Sequence, residues 1–123
     1  MSRLVILDEY DANFDHIIPA DYFSECADEI VIRSSTKPEE LLSSATGADF
    51  LISNKVRIDA STIAGLPDLR YIGVLATGYN TVDIKAARET GITVTNIPSY
   101  SSSSVAQLVF AHLLNLCREV QFH

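Results

Sequence analysis

Leu75-Ala-Thr-Gly-Tyr-Asn-Thr-Val-Asp83, a short helical run, Gly91-Ile-Thr-Val-Thr-Asn-Ile-Pro-Ser-Tyr100, four serines from Ser101 to Ser104 and then Val105-Ala-Gln107 form the stretch that decides the fold. It contains two apolar, strand-like runs. Each ends in a turn rich in Gly, Asn or Ser, and each turn opens into a helical pattern. Such turns present backbone N–H groups and hydroxyls at the carboxyl edge of a sheet. In open α/β sheets that edge is where small anions bind.

The same rhythm extends upstream. Arg3–Leu7, Glu29–Arg33, Asp49–Ser53, Tyr71–Ala76 and Ile92–Asn96 read as five strands. The first is an unbroken aliphatic run, the pattern of a strand buried on both faces. Helical stretches are expected at Tyr22–Ala27, with Pro19 limiting it upstream, and from Thr36 to near Gly47. Further helices are expected from Asp59 to the Gly65–Pro67 stop, over Val82–Glu89, and from Ser102 to the end. Thr36 is placed to cap its helix, with Pro38 and two acids in the first turn. Strands that alternate with helices predict an α/β fold. The expectation is a flavodoxin-like five-stranded parallel sheet with helices on both faces.

At 123 residues, with 47% hydrophobic and 20% charged residues, the chain fits one globular domain. The net charge of −7 and the lack of a basic cluster argue against nucleic acid as a partner. No apolar run is long enough to span a bilayer. The first residues pass directly into a strand pattern without a signal-peptide layout, so a cytoplasmic location is the default. Cys26 and Cys117 lack metal-ligand spacing and are expected to be small buried thiols.

Gly78 offers either a positive φ or close approach of a ligand to the backbone, and the Thr77–Gly78 amides could hold a carboxylate. The turn reads equally well as a plain strand-to-helix connection. Asn54 and Lys55 follow the third strand at the same edge. Lys55 could attract an anion or stand as a solvated charge. Tyr79 and Tyr100 flank the presumed cleft. The serine run is either a solvated loop or a cap in which Ser102 or Ser103 accepts from the first helical amides. Asp8, with Glu9 and Asp11 nearby, reads as a solvated strand end. A phosphoacceptor role would need another acid after the third strand and a Lys after the fifth, where Ser53-Asn54 and Asn96-Ile97 stand instead. No G-x-G-x-x-G, P-loop, G-x-S-x-G or metal pair occurs. Of His16, His112 and His123, none has an acid partner in the pattern, and His112 reads as a packed or interface residue. The chain therefore shows no complete active site.

Three blocks carry a resemblance: Phe50-Leu-Ile-Ser-Asn-Lys-Val56, Leu66-Pro-Asp-Leu-Arg-Tyr-Ile-Gly-Val-Leu-Ala-Thr-Gly-Tyr-Asn-Thr-Val-Asp83 and Gly91 through Gln107. Together they resemble the N-terminal half of the D-isomer-specific 2-hydroxyacid dehydrogenases. The Asn-Lys-Val and Ala-Thr-Gly-x-Asn elements look most like the glycerate dehydrogenase (hydroxypyruvate reductase) branch. The resemblance implies an NAD- or NADP-dependent oxidoreductase that transfers hydride between nicotinamide and a small 2-keto or 2-hydroxy acid. It implies that residues 1–101 form the substrate-binding domain and that 102–123 form a helix crossing to a Rossmann domain. That second domain, with its coenzyme fingerprint and its catalytic Arg, Glu and His, is absent here. Accordingly no catalytic residue, metal ligand or bound cofactor is expected in this chain alone. The resemblance assigns Asn54, Lys55, Ala76, Thr77 and Gly78 to the substrate, and Tyr100, Ser101 and Val105 to the coenzyme side. Gln107 would orient the loop.

The final residues, Arg118 to His123, carry no helix stop signal, so the chain is expected to be an inactive piece of a longer protein. An apolar face on its last helix, without a partner domain, would drive homo-oligomerisation. The alternative is a stand-alone flavodoxin-like module that binds a small molecule or regulates.

Overall fold

The structure is a computed structural model that describes residues 1–9 and 20–122; side chains at 20, 21 and 121 are outside that description. The expectations at Asp11, His16, Pro19 and His123 lie outside the described residues.

Five parallel strands form one sheet: β1 (Arg3–Ile6), β2 (Glu29–Ile32), β3 (Phe50–Ser53), β4 (Tyr71–Val74) and β5 (Thr93–Thr95). Their spatial order is β2-β1-β3-β4-β5, the flavodoxin-like order that the strand–helix rhythm predicts. Leu4, Val5, Ile6 and Leu7 are all buried, which is why this strand is aliphatic without alternation. Successive side chains point to opposite faces and feed two cores. Val5, Leu7, Leu51, Ile72 and Val74 pack on the larger one. Its cover comes from Leu41 and Ala45 of α1 (Leu41–Ala45), Ile63 of α2 (Ala60–Ala64) and Ala87 of α3 (Ile84–Glu89). Leu4, Ile6, Phe50 and Ile52 face the other way, against Phe23 of the 3-10 turn Ala20–Phe23 and against Ala27. Each fully buried Ile or Leu in these layers contributes about 1.5–3 kcal/mol.

Several local expectations change. The helix expected over Tyr22–Ala27 is only the 3-10 turn, closed by the Cys26 amide on the Phe23 carbonyl at 2.8 Å. Thr36 caps no helix: its hydroxyl donates to the Leu7 carbonyl at 2.6 Å, and Lys37 stands at the cap of a 3-10 turn, Pro38–Glu40, that leads into α1. A hydroxyl that reaches a carbonyl just past a neighbouring strand is no longer available to its own helix. Gly47, with φ +71, ends that segment as expected.

The last helix, α4 (Ser102–Arg118), contributes no buried residue. Ser101 precedes it without a side-chain capping bond, so neither Ser102 nor Ser103 closes the helix start. Nor does the helix run to the end. Glu119 turns left-handed (φ 48), and a 3-10 turn, Val120–Phe122, follows. Cys26 and Cys117 are exposed rather than buried, because one sits beside the 3-10 turn and the other on the uncovered α4. His112, on the same helix, is exposed as well.

Candidate functional site

All five strands are parallel, so their carboxyl ends share one edge. The β3 exit carries Asn54 and Lys55, the β4 exit carries Ala76, Thr77 and Gly78, and the β5 exit runs through Asn96 to Tyr100 and Ser101. The first two exits are tied together. The Leu75 amide donates to the Ser53 carbonyl at 2.8 Å. Further out, Ile58 and Val82 form a parallel bridge, in which the Ile58 amide meets the Thr81 carbonyl at 2.8 Å and the Asp83 amide meets the Ile58 carbonyl at 2.9 Å. The β4 and β5 exits are tied as well. The Ile97 amide donates to the Ala76 carbonyl at 3.0 Å, Thr77 Oγ1 donates to the Ile97 carbonyl at 3.1 Å, and Asn96 Nδ2 donates to the Thr77 carbonyl at 2.8 Å. These bonds use the carbonyls of Ala76 and Thr77. No described residue accepts from the amides of Thr77 or Gly78. Two adjacent amides without an acceptor among the described residues, at a strand exit that is open to solvent, form a cradle-like arrangement able to hold an anion.

Gly78 sits in the cradle without a positive φ. The conformational half of its expected role therefore drops out. What its missing Cβ provides is room: a Cβ there would come within 3.2 Å of Asn80 Oδ1, and the side facing away from Asn80 is open.

The β3 exit is built differently. Asp8, two residues past β1, is not a solvated strand end; it is 2% exposed. Its Oδ1 accepts from the Asn54 amide at 2.8 Å, and its Oδ2 accepts from the same amide at 2.9 Å and from the Lys55 amide at 2.6 Å. Ser53 Oγ reaches Oδ2 at 3.4 Å and accepts in turn from the Val56 amide at 3.1 Å. Sequence reasoning missed this residue because an acid that ends a strand looks the same whether it faces water or the next turn.

Lys55 also borders a cavity of about 340 Å³ with Asp8, Ser35, Thr36, Pro38, Val56 and Arg57, on the β2 side of the exit. A larger cavity, about 530 Å³, lies between α3 and β5; Tyr79, Arg88 and Asn96 line it above an apolar floor. Neither cavity reaches Thr77 or Gly78. Tyr100, 66% exposed, and Val105, 57% exposed, flank Ser101 at the start of α4. Gln107 is exposed on the same helix, and no described residue takes a hydrogen bond from its side chain. Among the described residues no three His, Cys, Asp or Glu side chains converge as a metal site, and no helix is long and apolar enough to cross a membrane.

The parallel order β2-β1-β3-β4-β5 defines a flavodoxin-like α/β domain. The sequence profile described as "D-isomer specific 2-hydroxyacid dehydrogenase, catalytic domain" matches residues 6–116, so the chain belongs to that family. It is 43% identical over 90 residues to a hydroxypyruvate reductase of Blautia hydrogenotrophica and 40% identical over 87 residues to a glycerate dehydrogenase of Methylorubrum extorquens. These alignments take in 73% and 71% of this chain but only 28% of each relative. The chain thus spans little more than a quarter of the length of the curated relatives it matches. In structure it is similar to an acyclic imino acid reductase in complex with NADPH and D-Arg, with a TM-score of 0.78 at 22% identity, over 97% of this chain and 38% of that one. At that identity the likeness speaks for the fold.

Proposed function

We propose that this chain is the substrate-side domain of an NAD(P)-dependent 2-hydroxyacid oxidoreductase of the glycerate dehydrogenase or hydroxypyruvate reductase kind. One observation carries the reading: in a chain of this family, the amides of Thr77 and Gly78 have no acceptor among the described residues at the β4 exit, which is bonded to the β3 exit through Leu75 and Ser53. Each N–H that meets a carboxylate there contributes about 1.5–3 kcal/mol. The acid group of a 2-keto or 2-hydroxy acid is the fitting occupant, with Ala76 beside it and Asn54 and Lys55 along the neighbouring exit.

A nicotinamide cofactor, when bound to such an enzyme, supplies or receives the hydride. The described residues offer it one wall, at Tyr100, Ser101 and Val105, and no glycine-rich phosphate cradle. This half binds the acid by its carboxylate, orients it and screens one side from water. The groups that move protons belong to the second domain we infer for the whole protein, with α4 crossing towards it. The chain alone is then inactive. We further propose that it self-associates, because Leu108, Val109, Phe110, Leu113 and Leu116 all stand exposed on α4. Sedimentation velocity at rising concentration is expected to report a dimer or larger species, and a monomer throughout would remove this proposal.

The test of the acid site is an NMR titration of the uniformly 15N-labelled chain with D-glycerate. The expected result is a saturable shift of the Thr77 and Gly78 amides, with smaller shifts at Asn54 and Lys55, and no oxidation of NADH when hydroxypyruvate is added. Shifts confined to the cavity between α3 and β5 would move the site there, and turnover by this chain would refute its reading as half of an enzyme.

A further inference from the structure

We propose that Asp8 is a positioning residue for the acid site: its buried carboxylate fills the β3 exit from inside, holds the turn that carries Asn54 and Lys55, and leaves the β4 exit as the place for an incoming acid. The proposal rests on the reading of the Thr77–Gly78 cradle given above.

The geometry is that of an anion bound to a strand exit, except that the anion is part of the chain. Two consecutive amides, of Asn54 and Lys55, point at one carboxylate at 2.6–2.9 Å, and the Ser53 hydroxyl approaches the same oxygen at 3.4 Å. Ser53 extends the arrangement by accepting from Val56, so residues 53–56 are tied, directly or through Ser53, to the one side chain of Asp8. Burying a carboxylate is unfavourable unless donors replace its water, and here backbone amides do so. They form a rigid pair, because Ser53 also belongs to β3 and pairs with Val74 of β4. Fixing residues 53–56 fixes where the side chains of Asn54 and Lys55 begin.

Two consequences follow for a bound acid. The β3 exit amides are already taken, whereas at the β4 exit the Thr77 and Gly78 amides have no acceptor among the described residues and stay available to a second carboxylate. The carboxylate of Asp8 stands on the far side of β3 from that place, and the turn it grips carries Lys55, a cation that would favour an incoming acid. Asp8 acts on the ligand through Asn54 and Lys55 and does not touch it.

The experiment uses the complete 123-residue chain, D-glycerate and Asp8→Asn, which keeps the size of the side chain and turns one acceptor into a donor. Expected are exchange of the Asn54 and Lys55 amides about tenfold faster and a D-glycerate Kd, read at Thr77 and Gly78, about threefold weaker. The same Asp8→Asn change in an Asn54→Ala/Lys55→Ala background is expected to leave Kd unaltered, as a residue acting through those two side chains requires. A merely structural role would weaken binding equally in both backgrounds, and that result overturns the proposal. So does an unchanged Kd in Asp8→Asn. If Asp8→Asn does not fold, Asp8→Glu, which keeps the charge but displaces it by one methylene, carries the same readouts. No D-glycerate response at Thr77 and Gly78 of the native chain overturns the acid-site reading itself; the exchange rates of Asn54 and Lys55 then decide alone whether Asp8 orders the turn.

Discussion

The β3 and β4 exits are neighbours on one sheet edge, yet they solve the same problem in opposite ways. Both strands end with amides that run out of ladder partners. At β3 the chain satisfies them itself, with the carboxylate of Asp8. At β4 the carbonyls of Ala76 and Thr77 are engaged by the β5 exit while the amides of Thr77 and Gly78 find no acceptor among the described residues. An exit satisfied from within is held in place by the chain itself; an exit whose amides face solvent keeps them available to an incoming acceptor. The contrast is what supports the proposed acid site at β4, and under that proposal Asn54 and Lys55 would contribute their side chains, since their amides are held by Asp8.

Gly78→Ala is the strongest way to break this contrast. Because Gly78 does not occupy the left-handed region, alanine brings no backbone strain, and its Cβ meets only the flexible end of Asn80 at 3.2 Å. Stability in urea is expected to stay within about 0.5 kcal/mol of the native chain. The affinity of the cradle for D-glycerate is expected to fall about tenfold, as a methyl group displaces the acid from the backbone. An unchanged affinity would mean that the β4 exit is a plain connection after all.

The sequence makes the fold legible and the site only half so. Five apolar runs separated by helical spacing give the strands to within about two residues, since burial on both faces writes itself as unbroken aliphatic stretches such as Leu4–Leu7. What stays hidden is where polar side chains turn. Thr36 looks like a helix cap and bonds instead to the Leu7 carbonyl, just past β1; Asp8 looks solvated and is buried. Both choices depend on a partner 29 or more residues away, which local pattern does not encode. Ser99 adopts φ 59 on the way to Tyr100, and nothing in Pro-Ser-Tyr announces it. The burial of the cysteines fails for a related reason. Amphipathic spacing marks a face that can be covered, and on α4 nothing described covers it.

A smaller effect sharpens the comparison through acid. The β3 exit leads by Ile58 to Asp59, which caps α2; its carboxylate accepts from Ser61 Oγ at 2.7 Å, from the Thr62 amide at 2.9 Å and from Thr62 Oγ1 at 3.0 Å. The Ser61 hydroxyl first, and then the Thr62 amide and hydroxyl, lower its pKa from the ordinary 3.8 to about 2. A carboxyl group whose pKa is depressed on folding stabilises the fold above its unfolded pKa, and that contribution fades as pH falls through the folded one. The stabilisation by the Asp59 charge is therefore complete above about pH 4 and gone below about pH 2. Asp59→Asn keeps a capping oxygen and removes the charge. The Tm of the variant is expected to lie slightly below that of the native chain at neutral pH, and the gap is expected to close between those two values. A gap that stays constant down the titration would assign the cap to hydrogen bonding alone, and the β3 side would then owe its order to the buried Asp8 rather than to a pair of acids.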